Sequence, residues 1–369
     1  MKTLNSLLLL LCCALLSACG GQEQFSYTPM SYAQLLRVQH AEDWTGVEVL
    51  DAWHPGQVLH RYVLVPRDQP LPDPLPEGTL VRTPLQRVVA FSSVHGGLCC
   101  DLQCADQLVG MCDTQYILLD SLRQRLSDGR LQDLGSSMKV DAERMMAVRP
   151  DAFFVSPFEN AGYGVLATMN VPLVECADYM ETSALGRAEW MKFYGMLMGR
   201  EAEADSLFAR IEHDYLALKA AVGKVTQRPS LLCDFKQGSA WYVPGGDSYI
   251  GRLFSDAGAN YLFADKRESG SVAMSFENVY AKGREADFWV VKYGRPAPHT
   301  YTTIADDYPL YKEFQAWKKQ RIYGCNTFAV PFYEEVPFHP DLLLKDMVRI
   351  LHPELLPHHV LKYYQPIAE

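Results

Sequence analysis

The spacing of apolar positions changes along the chain, and each change predicts a different kind of element. From about residue 30 to 65 apolar and polar residues alternate. Val47-Glu48-Val49-Leu50 and the run 58–65 flank Trp53-His54-Pro55-Gly56, which predicts two strands joined as a hairpin. Residues 66–84 are proline-rich and predict a non-helical linker. Beyond them, buried-strand runs at 87–91, 107–111, 151–156 and 172–176 surround a short helix at 140–148, with Asp141 as its N-cap. Strand–helix alternation of this kind predicts a parallel sheet with helices on its faces. From 183 to about 222 the rhythm breaks into continuous helix, weak only at Gly195 and Gly199. Leu207, Ile211, Tyr215, Leu218 and Val222 recur there at three- and four-residue spacing. Strands resume at 230–233 and 288–291. The tail predicts helix over 341–350 and 360–366 about a proline-rich joint.

The layout is therefore lobe, long helix, lobe. The expected fold is α/β: two lobes with mostly parallel central sheets joined by one long helix, behind an N-terminal β extension. The boundaries fall at 19–85 for tether and extension, 86–180 for the first lobe, 181–225 for the linking segment and 226–369 for the second lobe. Residues 1–18 differ from all of these. Met1-Lys2, an apolar run through Leu7–Leu11 and the small-residue close Leu16-Ser17-Ala18-Cys19 describe a secretory signal. The run is too short for a membrane span, which needs about 20 apolar residues. Leu16-Ser17-Ala18-Cys19 also resembles the bacterial lipobox, in which the chain is cut before the cysteine and the new terminus is acylated. That resemblance implies lipidation at Cys19, and more than one acyl chain is enough for stable membrane attachment.

Composition narrows the classes further. Apolar residues make up 48% and charged residues 21%, a globular balance. The formal net charge is −10 with no Lys/Arg-rich block, which argues against a nucleic-acid partner. Seven cysteines follow Cys19, so at least one is unpaired within the chain. Four of them crowd between Cys99 and Cys112. They read as small core residues rather than a metal cluster, because the spacing is not a paired C-x-x-C and only His95 lies near. Ser92-Ser93 is not a nucleophile elbow, and neither H-E-x-x-H nor a Gly-rich phosphate loop occurs. His358-His359 reads as surface helix and Asp306-Asp307 as a solvated turn.

Several segments, in order, resemble the periplasmic substrate-binding lipoproteins of ABC importers for ferric siderophores, haem and cobalamin, the long-helix type. These are Arg87-Val88-Val89-Ala90-Phe91-Ser92-Ser93, Asp106-Gln107-Leu108-Val109-Gly110, Leu134-Gly135, Arg149-Pro150-Asp151-Ala152-Phe153, Gly245-Gly246-Asp247-Ser248, Ser275-Phe276-Glu277 and His352-Pro353-Glu354-Leu355-Leu356. The resemblance covers about 87–369. It implies a chain that binds and releases a metal chelate without covalent chemistry or a cofactor of its own. The implied partners are an ABC permease and its ATPase, at the membrane face of the cell envelope. The family's first-lobe docking glutamate falls on Gly97 here, and Glu277 is the docking candidate in the second lobe. The family's minimal members lack the extension.

Ligands of open parallel sheets bind beyond the carboxyl ends of the strands. The candidate ligand-binding residues are Ser92, Ser93 and His95 after the first strand, and Ser156, Pro157 and Phe158 after the third, with Tyr163 beyond them. Tyr179 and Glu181 follow the fourth. The second lobe offers Trp241, Tyr242, Tyr293, Arg295 and Asn326. This set suits a large planar or aromatic ligand. Arg295 would pair an anionic group. His95 reads either as a ligand to an iron or cobalt centre or as a loop histidine bound to backbone, and Trp241-Tyr242 either as site or as core. Two other readings stay open: an enzyme on a similar fold, such as a metal chelatase, and a surface lipoprotein that binds a partner through its extension.

Overall fold

The computed structural model describes residues 26–369, so the leader and Cys19 lie outside the described residues. The extension builds a sheet of its own. β1 (Thr28–Pro29), β2 (Leu36–His40), β3 (Thr45–Leu50) and β4 (Val58–Pro66) are antiparallel neighbours. β3 and β4 form the hairpin that the alternation predicts, and Asp51 steadies its turn by accepting the amides of Trp53 and His54. The proline-rich stretch is only partly a linker. No proline falls between Pro76 and Pro84, and β5 (Thr79–Thr83) pairs there in parallel with β4 at the sheet edge.

The first lobe carries β6 (Val88–Ala90), β7 (Leu108–Met111), β8 (Gln132–Asp133), β9 (Ala152–Val155) and β10 (Leu173–Glu175). They form one parallel sheet in the order β10-β9-β6-β7-β8. Its helices are α1 (Ser93–Asp101), α2 (Asp120–Ser127) and α3 (Ala142–Ala147). Asp141 caps α3 by accepting the amides of Glu143 and Arg144, as the sequence indicates.

The linking segment is three helices rather than one: α4 (Ala184–Glu189), α5 (Met191–Met198) and α6 (Glu201–Val222). Gly199 takes φ of +65°, a left-handed C-cap that ends α5 and turns the chain into α6. Gly195 does not break the helix. A Cβ there would lie 2.8 Å from Ala204, so its absence lets the first turn of α6 fold back onto α5. α6 spans 22 residues, about 33 Å at 1.5 Å per residue, and buries Leu207, Ile211, Tyr215 and Val222 along the stripe read from the sequence.

The second lobe holds β11 (Ser230–Cys233), β12 (Lys236–Gln237), β13 (Ala240–Pro244), α7 (Tyr249–Asp256), β14 (Asn260–Tyr261), β15 (Ser271–Met274) and α8 (Phe276–Gly283). It continues with β16 (Phe288–Tyr293), α9 (Tyr301–Asp307), α10 (Gln315–Lys318), β17 (Ile322–Asn326), α11 (Phe332–Glu335), α12 (Pro340–Leu351) and β18 (Gln365–Pro366). The main sheet runs β14-β11-β16-β17-β18, parallel except for β18, and β12-β13-β15 form a small antiparallel sheet. The tail departs from expectation. Residues 360–366 are not helical, because the buried Asp346 carboxylate takes the amides of Lys362, Tyr363 and Tyr364 and holds them extended. His358 and His359 sit in a turn, and Asp306 and Asp307 end α9 rather than lying in a loop.

Two buried carboxylates fasten the extension to the body. Glu189 accepts the amides of Ser31, Tyr32 and Ala33, and Glu181 accepts those of Gln34 and Leu35. Leu36, Tyr62, Trp190, Tyr194, Trp289 and Leu344 consequently belong to one contiguous core that runs through extension and both lobes. Among the described residues, no helix is long and apolar enough to cross a membrane.

Candidate functional site

Strand order reverses between β6 and β9 in the first lobe and between β11 and β16 in the second. Crevices beyond the carboxyl ends of strands open at such switch points, so the sites follow from topology before any side chain is considered. The lobes meet closely there. A Cβ on Gly97 in α1 would lie 2.1 Å from the carbonyl oxygen of Glu334 in α11, so only glycine allows this approach. Glu334 in turn accepts the amides of Leu118 and Leu119 from the first lobe. At the rim, Tyr116 and Phe328 face each other across the lobes at 6.5 Å.

The first-lobe crevice is apolar. Phe91, Met138, Val140, Ser156, Phe158 and Tyr163 help line a hollow of about 530 Å³. Met138 is 92% exposed and Phe158 63%, large apolar side chains left facing solvent at one mouth. Phe158 leans on Tyr179, with ring centroids 6.2 Å apart. Tyr179 also lines a second cavity of about 310 Å³ at the lobe junction, together with Arg187, Asp234, Ser248, Tyr249 and Lys292.

That junction is charged. The Arg187 guanidinium lies 4.9 Å over the Tyr249 ring, and its Nε donates to Asp178 at 3.1 Å. Asp178 also accepts the Tyr194 hydroxyl at 3.0 Å and lies 3.2 Å from His95 Nε2. Burial alone would raise the Asp178 carboxyl, but Arg187 and then His95 hold it below its usual range. Burial likewise opposes the His95 imidazolium, yet the Cys176 sulfur and Asp178 push it up to about 10. On the other side, Asp234 adopts φ of +59° directly after β11 and accepts the Lys292 amide at 3.3 Å. Burial pushes the Asp234 carboxyl up, against the pull of Lys292. The Lys292 ammonium lies over the Phe332 and Tyr333 rings at 5.2 and 5.3 Å. Burial opposes its charge, but Tyr333 and Asp234 outweigh that and keep its pKa above the usual value.

The residues expected from sequence separate into two groups. Ser156, Phe158 and Tyr179 lie at the crevices, Ser92 caps α1 at the end of β6, and Ser93 opens that helix. Tyr242 is 45% exposed on β13. Tyr293 lines a separate hollow beside β12 and α9, with its hydroxyl accepting the His299 amide. Arg295 pairs with His299 at 2.9 Å, and Asn326 clamps the Arg295 backbone. Three expectations are corrected. His95 is buried against Asp178 and Tyr194 and presents nothing to a ligand. Glu181 serves the extension. Trp241 is core: its ring stacks on Trp289 at 5.7 Å and its indole N–H donates to the Cys233 carbonyl. Gly97 is closed to a docking side chain, whereas Glu277 is exposed in the first turn of α8. Cys99, Cys104 and Cys112 are buried, and all seven cysteines after Cys19 are unpaired thiols.

Arg187, Asp178, Asp234 and Lys292 were not among the expected residues. Asp234 and Lys292 do carry a signal, since each sits at the carboxyl end of an apolar strand run. Asp178 carries the same signal, two residues past the fourth strand run and next to Tyr179, whereas Arg187 carries none, being a single polar residue inside a helix.

A two-lobed α/β body with a hollow at each switch point and a tightly packed junction is the architecture of a binding protein of the periplasmic type. The model of the periplasmic binding protein family matches residues 89–327, and the chain belongs to that family. An uncharacterized lipoprotein of Methanocaldococcus jannaschii is 26% identical over 325 residues, covering 82% of this chain and 76% of its own length. A second uncharacterized lipoprotein of that organism is 24% identical over 326 residues, covering 84% and 81%. Among solved structures, the molybdate-binding MolA of Haemophilus influenzae matches with a TM-score of 0.61 at 17% identity, covering 76% of this chain and 90% of that one. An ABC-type Fe3+-hydroxamate transport protein of Saccharomonospora viridis gives 0.58 at 18%, covering 72% and 93%. A haem-binding protein of Pseudomonas aeruginosa gives 0.56 at 18%, covering 73% and 93%. These likenesses establish the fold.

Proposed function

We propose that this chain is the substrate-binding component of an ABC importer, anchored through lipidated Cys19, which captures a metal chelate between its lobes and delivers it to a permease. The observation that carries the reading is the pair of hollows at the two switch points, one of them walled by exposed Met138 and Phe158. Apolar side chains left bare at a concave mouth fit a ligand with a flat or apolar body. Ferric siderophore, haem and cobalamin are the candidate chelates. The structural relatives named for Fe3+-hydroxamate transport, haem binding and molybdate binding favour a metal-containing ligand. Glu277, an exposed carboxylate in the first turn of α8, is the docking residue toward a permease.

Whichever of haemin, cyanocobalamin and the ferric siderophores is the ligand should, at 100 times its dissociation constant, stabilise the folded chain by about 2.7 kcal/mol through mass action. A thermal-shift screen reads this directly, and a flat response to all three classes sinks the reading. Glu277→Ala should leave the ligand affinity unchanged and lower ligand-stimulated ATP hydrolysis by the reconstituted importer.

A further inference from the structure

Two cations, Arg187 and Lys292, line the junction cavity, each beside one carboxylate. Asp178 is the carboxylate shared by Arg187 and His95, and Asp234 faces Lys292. Arg187 is only 7% exposed, and the structure uses its Nε alone, on Asp178. Among the described residues its two terminal nitrogens have no acceptor, and neither has the Lys292 ammonium, which rests on ring faces. Charged donors that line a cavity without a protein acceptor are open to an anionic group from a ligand. Both side chains line the same cavity, one from α4 and one from β16, and α7 points its capped N-terminus, Ser248-Tyr249, into it.

We infer that the ligand carries an anionic group that seats in this cavity, bound by the Arg187 guanidinium fork on one side and the Lys292 ammonium on the other. The inference rests on the binding role proposed above and names the class of ligand for it. A planar guanidinium holds a carboxylate or oxyanion through paired N–H donors, and an ammonium supplies a point charge opposite. Size agrees with a group rather than a whole macrocycle. The cavity is about 310 Å³, at the lower end of ligand sites, which run from about 300 to 1,000 Å³. The body of a larger ligand would extend past Tyr179 and Phe158 into the apolar hollow of the first lobe. Neutral chelates leave both cations unpaired and bind weakly. The residues that set specificity are then Arg187 and Lys292, and not Arg295, whose guanidinium is engaged with His299 outside the junction.

Isothermal titration of the full chain with three probes tests this: haemin, which carries carboxylates on an apolar body; molybdate, an oxyanion without one; and a neutral ferric trihydroxamate. Haemin or molybdate should bind more tightly than the trihydroxamate, and which of the two binds tells a chelate's carboxylate arm from a free oxyanion. Lys292→Met should weaken the anionic probe by about tenfold or more, the scale of one hydrogen bond to a charged group. Lys292→Arg should restore most of the affinity. If Lys292→Met loses its native circular-dichroism spectrum, Lys292→Gln takes its place. Tightest binding of the neutral probe overturns the inference and leaves the binding role standing, as does an anionic probe indifferent to Lys292→Met. If none of the three binds, the inference falls, and the binding role is decided separately by the cyanocobalamin and siderophore arms of the thermal-shift screen.

Discussion

On the first-lobe side, the space behind the junction is filled by Asp178 and His95 of the lobe and by Arg187 and Tyr194 of the linking helices, a buried network of charge and hydrogen bonds. In the second lobe, the corresponding support is aromatic. Trp241 and Trp289 stack, flanked by Phe276, Tyr311 and Phe314, and their indole N–H groups donate to the carbonyls of Cys233 and Asp234. Both arrangements do the same mechanical task. Each fixes the residue that faces the cavity: Arg187 through Asp178 in one case, Asp234 through the Trp289 indole on its carbonyl in the other. The difference lies in what each support responds to. An aromatic stack is insensitive to pH, whereas an ion network loses its strength when one member titrates.

The comparison can be broken from either side. Trp289→Ala should have the largest effect, about 3–5 kcal/mol of stability for a buried tryptophan replaced by a cavity, and the loss should be the same in chemical-denaturation curves at pH 5, 7 and 9. Asp178→Asn comes next, at about 3 kcal/mol, because it strands two buried cations. Its effect should depend on pH. The folded-state pKa of His95 lies above its ordinary 6.5, so its contribution is complete below pH 6.5 and lost as pH rises toward about 10. Asp178 is shifted down, so its contribution is present above 3.8 and lost as pH falls through its lowered value. The wild-type chain should therefore lose stability between pH 6.5 and 10, and Asp178→Asn should flatten that decline. A decline of equal steepness in both proteins would remove His95–Asp178 as its source. Phe158→Ser should be the mildest, within about 0.5 kcal/mol, because its side chain is largely exposed. Its effect should appear instead as weaker haemin binding in a titration.

The same contrast explains what could be read from the sequence. Periodicity located the hairpin, every parallel strand named at the outset and the α6 stripe, because burial on a sheet or helix face imposes a repeat. It did not locate β5, whose five residues hide behind a run of prolines, nor the extended tail, where a distant Asp346 overrides local propensity. At the site, position along the chain pointed to Ser156, Phe158 and Tyr179. Residue type misled for His95, Glu181 and Trp241. A polar or aromatic residue near a strand end serves a ligand or the core according to which way it faces, and that depends on partners up to 147 residues away, as for Glu181 and Gln34.

The extension imposes an order of events on the chain. Its amides at 31–35 are received by carboxylates 146 to 158 residues further on. The β3–β4 hairpin closes over a short turn and needs nothing else, but its seat at Glu181 and Glu189 does not exist until the first lobe is complete. Loop closure over such a separation comes late in folding. The extension, which precedes the lobes in the chain, is thus the part that settles after the lobe behind it, and until then its apolar face, with Leu36, Val47 and Tyr62, stays uncovered.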